Sequence, residues 1–165
     1  MKNVIQMLAV SGLLALGAGT ASAEVVVNYV QAERFSDLPQ FQYERERVLT
    51  ELTRHFNKLG ADLSAGETLR VDIDDIDLAG RTAPTNGTRE ERIFNFAVDW
   101  PRIDLEFEVE KDGKIVRSGK VSLRDMAYGT RTQRYFDGDP LRFEKPMLNE
   151  WFHTTVAPRE RTASR

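Results

Sequence analysis

The sequence predicts a single small α+β domain, with helices packed on one face of a mainly antiparallel sheet and elements in the order β-α-β-β-β-α. Three observations carry that expectation. Apolar residues recur at three- and four-residue spacing over residues 41–59, the mark of an amphipathic helix. Residues 102–123 alternate apolar and polar side chains around one tight turn, the mark of a hairpin. Two β-branched runs, residues 24–30 and 69–80, flank the helix and supply the other strands.

Ahead of the first strand, Met1-Lys2-Asn3 is a positive start, residues 4–19 are uncharged and mostly apolar, and Ala21-Ser22-Ala23 is a small-residue cleavage site. Residues 1–23 therefore read as a cleaved signal peptide, with Glu24 as the new N-terminus. The run is rich in Gly, Ala and Ser and is short for a bilayer core, which needs about twenty strongly apolar residues. No cysteine follows it, so no thiol is present to carry a lipid. The expected product is a soluble periplasmic protein with no membrane span, consisting of a domain over residues 24–156 and a flexible tail over 157–165.

The first strand, EVVVNYV from Glu24, reads as buried. Ser36 or Asp37 is placed to cap the helix and Pro39 suits its first turn. Phe41, Val48, Leu49, Leu52, Phe56 and Leu59 form its apolar stripe, and Gly60 suits a left-handed end. In the second strand Leu69, Val71 and Ile73 alternate, whereas Ile76 and Leu78 fall on the opposite parity. A β-bulge near Asp74-Asp75 would restore the face. Residues 81–92, RTAPTNGTREER, have no apolar period and read as a long mobile loop.

The hairpin puts Ile103, Leu105, Phe107 and Val109 on one face and acids on the other. A two-residue Asp112-Gly113 turn would set Lys120 opposite Leu105. A three-residue Lys111-Asp112-Gly113 loop instead pairs Val109 with Ile115, Leu105 with Gly119 and Ile103 with Val121, and is the preferred register. It also opposes Asp104 to Lys120 and Glu110 to Lys114. The last helix is apolar at Leu148, Trp151 and Phe152. Because Pro146 is tolerated only in a first turn, the helix should start near Lys145, after a separate turn over residues 139–144.

The 165 residues contain no cysteine, which excludes disulfides, thiol catalysis and Cys-ligated zinc and leaves stability to an apolar core. The net charge of −3 argues against nucleic acid as a bulk partner. Its distribution is uneven. Residues 62–112 hold fourteen acids and six bases, and residues 114–145 hold four acids and eight bases. Either the basic stretch is an anion site or the two segments are neighbouring strands whose faces attract.

Four stretches, LGADL from Leu59, DIDLAG from Asp75, DWPRIDL from Asp99 and RYFDGDPLRFEKPMLNEWF from Arg134, together resemble the bacterial exported family known as domain of unknown function 3016. The resemblance runs along the whole mature chain in the same order. It implies export and a single domain, and brings no activity, cofactor or partner. Ala127 stands where the family pattern suggests Asn, and Pro146 where it suggests an ordinary helix former.

Three groups of residues have chemistry to offer. Asp72, Asp74, Asp75 and Asp77 supply the oxygens a hard divalent cation requires, without the calcium-loop spacing; the alternative is a solvated or Arg-paired strand face. Trp100 and Arg102 form either a stacking and anion-binding corner or a rigid strand entrance, with Asp99 able to hold Arg102. Arg124, Asp125, Tyr128, Arg131, Arg134, Tyr135, Arg142 and Phe143 combine guanidinium groups with rings, which suits a protein interface or an anionic glycan; otherwise the rings are core and the arginines bridge to the acidic strand. His55 and His153 lack any accompanying catalytic motif. The function expected is a non-catalytic envelope module that binds a protein partner, without cofactor. A ligand or divalent-metal binder and a small glycan or cell-wall hydrolase with paired carboxylates are the alternatives.

Overall fold

The computed structural model describes residues 23–84, 90–130, 135 and 138–158. Most of the expected leader and most of the expected tail, residues 1–22 and 159–165, lie outside them. The chain forms β1 (Glu24–Tyr29), α1 (Gln42–Leu59), β2 (Glu67–Asp77), β3 (Arg81–Pro84), β4 (Glu90–Ile93), β5 (Arg102–Lys111), β6 (Lys114–Arg124) and α2 (Glu144–Trp151). The last helix continues as a π-helical segment, Phe152–Val156. This is a small α+β fold. A four-stranded sheet has the order β1-β2-β5-β6, in which β1 and β2 are parallel and the other pairs antiparallel.

The helical stripe and the strand alternation meet in one core. Val48, Leu52, Phe56 and Leu59 of α1, with Met147, Leu148, Trp151 and Phe152 after Pro146, cover Leu69, Val71, Ile73, Ile76, Ile103, Leu105 and Val109 of the sheet. Leu52, Phe56, Leu69, Ile73 and Leu105 have no exposed surface, and burying each side chain of this size stabilises the fold by about 1.5–3 kcal/mol. The bulge expected in β2 is present as a register shift between Ile73 and Asp75. It returns Ile76 to the core and leaves Asp72, Asp75 and Asp77 on the outer face.

Several local expectations are corrected. β1 is an edge strand with only β2 beside it, so its side chains are half-buried or exposed rather than fully buried. Neither Ser36 nor Asp37 caps α1, which starts after Phe41 without a side-chain cap; both residues are drawn instead toward the acidic end of β2. Gly60 is right-handed, at φ −57°, and α1 runs on into a 3-10 turn. A glycine is needed there for a different reason: a Cβ would lie 2.2 Å from Val25 Cγ2. Residues 81–93 include the β3–β4 hairpin rather than only a loop, although residues 85–89 lie outside the described set.

The β5–β6 register also differs from expectation. Asp112 and Gly113 both have positive φ, 52° and 74°, and form the two-residue turn that Asp-Gly favours, with Lys111 opposite Lys114. Val109 then pairs with Arg117 and Glu110 with Ile115, so Val116 is the extra residue of a bulge. That bulge removes the objection to a two-residue turn. Beyond it Leu105 meets Val121, Ile103 meets Leu123, and the Phe107 ring covers Gly119. Lys120 consequently faces Glu106, not Asp104.

The start of the last helix follows expectation. Asp139 accepts the Leu141 N–H at 2.9 Å and organises a separate turn, and Pro146 falls in the first turn of α2.

Candidate functional site

The acidic ladder is occupied by the protein's own donors. Asp72 accepts from Asn28 at 2.7 Å, and Asp74 accepts from Lys120 at 2.9 Å. Asp75 accepts the Ser36 N–H and O–H, each at 2.6 Å, and Arg102 at 2.7 Å. Burial acts to raise the Asp75 pKa, but these donors outweigh it and hold the carboxyl below its usual range. Asp77 lies 3.9 Å from Arg102, and burial is the main cause that raises its pKa. Among the described residues no cluster of three or more His, Asp or Glu side chains is arranged for a metal ion.

Just as Lys120 meets Asp74, Arg102 is thus the cation that meets Asp75 and Asp77. It also sits 3.8 Å from Asp104 and donates to Ser36 Oγ at 3.2 Å, so its partners are on the sheet and the chain leading to α1. Trp100 is separate from it in role, exposed to 37%. The predicted Trp100–Arg102 corner therefore divides into an open ring and a committed guanidinium.

The Arg-aromatic group divides in the same way. Tyr128 is 1% exposed and packs edge-on to Phe143 and tilted against Phe96. Asp125 is buried, with Oδ1 accepting the Ala127 N–H at 3.0 Å. Tyr135 accepts from Asn149 at 3.0 Å and stands edge-on to the buried His55. Arg142 lays its guanidinium over Phe94 and Phe143, 4.9 and 4.8 Å from the ring centres. Arg124 ends β6 and is exposed. Arg131 and Arg134 lie outside the described residues.

Two features emerge that the sequence reading passed over. The first is an apolar ridge. Phe96, Val98, Trp100 and Met126 are exposed by 52%, 61%, 37% and 66%. Their two segments lie together: the Asp125 N–H donates to Pro101 O at 3.3 Å, and a Cβ on Gly129 would meet the Phe96 ring at 2.3 Å. Phe96 is stacked on Phe94 and braced by Phe143, so the ridge stands on a rigid aromatic base. The only sequence signal was the spacing of rings in NFAVDW, residues 95–100, which has the look of a strand rather than a surface.

The second is a cleft of about 300 Å³ between the start of α1, the β3–β4 hairpin and the turn before α2. Val48, Leu78, Ala79, Phe94 and Phe143 give it apolar walls, and Glu44, Arg47, Glu91, Arg92, Arg142 and Glu144 give it charge. Arg92 is fixed there by Asp37 at 2.6 Å and by the carbonyls of Ala79 and Gly80 at 3.1 and 3.4 Å. Glu144 is 1% exposed; its Oε1 accepts the Ala79 N–H at 2.8 Å, while Oε2 has no hydrogen-bond partner among the described residues. Burial raises its pKa, against the pull of the Ala79 N–H and of Arg92.

Among the described residues no helix is long and apolar enough to cross a membrane. None of the curated proteins matches the chain. Among solved structures, protein XCC0632 from Xanthomonas campestris, of family DUF330, is similar over 96% of this chain and 97% of its own, at 10% identity and a TM-score of 0.37. A minor lipoprotein from Acinetobacter baumannii is similar over 81% of this chain and 88% of its own, at 10% identity and a TM-score of 0.27. The model of the family described as "Protein of unknown function (DUF3016)" matches residues 23–154. With nearly all of the folded region matched, the chain belongs to the DUF3016 family of proteins of unknown function.

Proposed function

We propose that this protein is an exported domain of the bacterial envelope that acts as a binding module for another envelope protein. The observation that carries the reading is the apolar ridge of Phe96, Val98, Trp100 and Met126. Large apolar side chains left exposed on two adjoining segments mark interaction sites in soluble proteins. Tryptophan, methionine and arginine are the residues interfaces concentrate, and Arg124 at the end of β6 supplies a charged flank. The leader-like N-terminus supports export, and the committed state of Asp72, Asp74, Asp75 and Arg102 favours partner binding over a metal site.

The expected partner presents an apolar patch with an acidic margin. Chemical crosslinking in intact cells, followed by mass spectrometry, tests this with Val98→Asp combined with Met126→Asp. Both side chains are exposed, so the variant should melt within a few degrees of wild type. Recovery of the partner should fall at least tenfold, and Arg70→Ala, on the outer sheet face, should leave it unchanged. Equal recovery with the double variant, or no protein above an unrelated exported control, refutes the reading.

A further inference from the structure

We propose that the cleft beside the ridge is a binding site for a small zwitterion of the amino-acid or dipeptide type, its carboxylate met by Arg47 and Glu144 and its ammonium by the acids of the rim. The starting point is Glu144 Oε2. A carboxyl oxygen buried without a partner is destabilising, and such a group in a folded protein calls for an explanation. The oxygen itself is covered, but the Glu144 side chain lines an open cleft, so a ligand that displaces its cover can complete its hydrogen bonding.

The remaining wall narrows the ligand's chemistry. Arg47 and Arg142 reject a simple cation, and Glu44 and Glu91 reject a simple anion, whereas a molecule carrying both charges satisfies both sets. Val48, Leu78, Phe94 and Phe143 accept an apolar side chain between them. A volume of about 300 Å³ is at the small end for ligand sites, which suits an amino acid or dipeptide and excludes a folded partner. The framework is preorganised: Arg92 is held by three acceptors, Arg142 rests on two rings, and Asp139 is already bonded to Lys145 at 2.6 Å. Burial, which pushes the Glu144 pKa up, favours the protonated carboxyl that a hydrogen bond to a ligand carboxylate requires.

Isothermal titration of the protein, purified as its host processes it, with alanyl-phenylalanine provides the test. Saturable one-to-one binding is expected, with the N-acetylated and the C-terminally amidated forms each at least tenfold weaker. Arg47→Gln, an exposed change that leaves folding intact, and Glu144→Met should each weaken binding at least tenfold. Val98→Asp should leave it unchanged, which keeps this site distinct from the ridge. No saturable binding of the dipeptide or of free phenylalanine, equal binding of the blocked forms, or an Arg47→Gln protein that binds like wild type overturns the proposal.

Discussion

Lys145→Met is expected to destabilise the protein by about 3–5 kcal/mol, because it leaves a buried charge without its partner. The Lys145 ammonium and the Asp139 carboxylate meet at 2.6 Å with side chains only 9% and 8% exposed, and Glu51 lies 3.8 Å from the same ammonium. Methionine keeps the apolar stem and removes the charge. Adding Asp139→Asn, which still accepts the Leu141 N–H and carries no charge, should recover at least half of the loss. Urea unfolding of the two variants checks both statements; a single variant as stable as wild type would show that the pair contributes nothing.

The same ammonium acts on His55. Burial is the larger cause and Lys145 the second that push the His55 pKa down from 6.5 to about 4. The folded ring therefore stays neutral while the unfolded ring takes a proton. Stability from this group is fully present above pH 6.5 and is lost as pH falls toward 4, a difference of about 3 kcal/mol by the usual 1.36 per pKa unit. In Lys145→Met the folded pKa should rise and this acid loss should shrink, which NMR titration of the ring reads directly.

Gly80→Ala is expected to cost about 2–4 kcal/mol, combining a left-handed backbone with overpacking. Gly80 has φ +78°, and a Cβ there would lie 2.5 Å from Ile93 O and 2.9 Å from Phe94 Cδ1. Its N–H donates to Asp99 O at 3.0 Å and its carbonyl accepts from Arg92. The residue thus joins the end of β2, the β3–β4 hairpin and the base of the ridge. A melting temperature roughly 10 °C lower is the expected readout. A change within a degree or two would mean that the hairpin gives way without penalty, and with it the claimed rigidity of cleft and ridge.

What the sequence made legible was whatever a short period encodes. Ile103, Leu105, Phe107 and Val109 declared their strand because alternate side chains share a face. The parity change between Ile73 and Ile76 announced its bulge for the same reason. Pro146 located the start of α2 because proline has no N–H to give. The bulge at Val116 escaped because the sequence was read as one uninterrupted ladder, although apolar pairing of Leu105 with Val121 would have demanded it. The hairpin at residues 81–93 escaped because its strands are only four residues long and carry no alternation.

The site was less legible, since residue type does not separate core from surface. Tyr128 is buried and Trp100 is exposed, yet both stand in short polar segments. Glu144 looked like an ordinary acid in a helix's first turn, and its burial depends on Ala79, sixty-five residues earlier. Lys120 meets Asp74 at 2.9 Å and Glu106 at 2.6 Å, and Arg117 meets Glu67 at 2.8 Å, which explains the acidic and basic segments as attracting faces of one sheet for that part of the chain.

The ridge, and not the rest of the surface, is expected to meet the partner. A photo-crosslinking amino acid placed at Val98, and separately at Ser118 on the exposed stretch of β6, measures this in living cells. One discrete adduct from Val98 and none from Ser118 is the expected result. No adduct from Val98, or the same adducts from both positions, would contradict it.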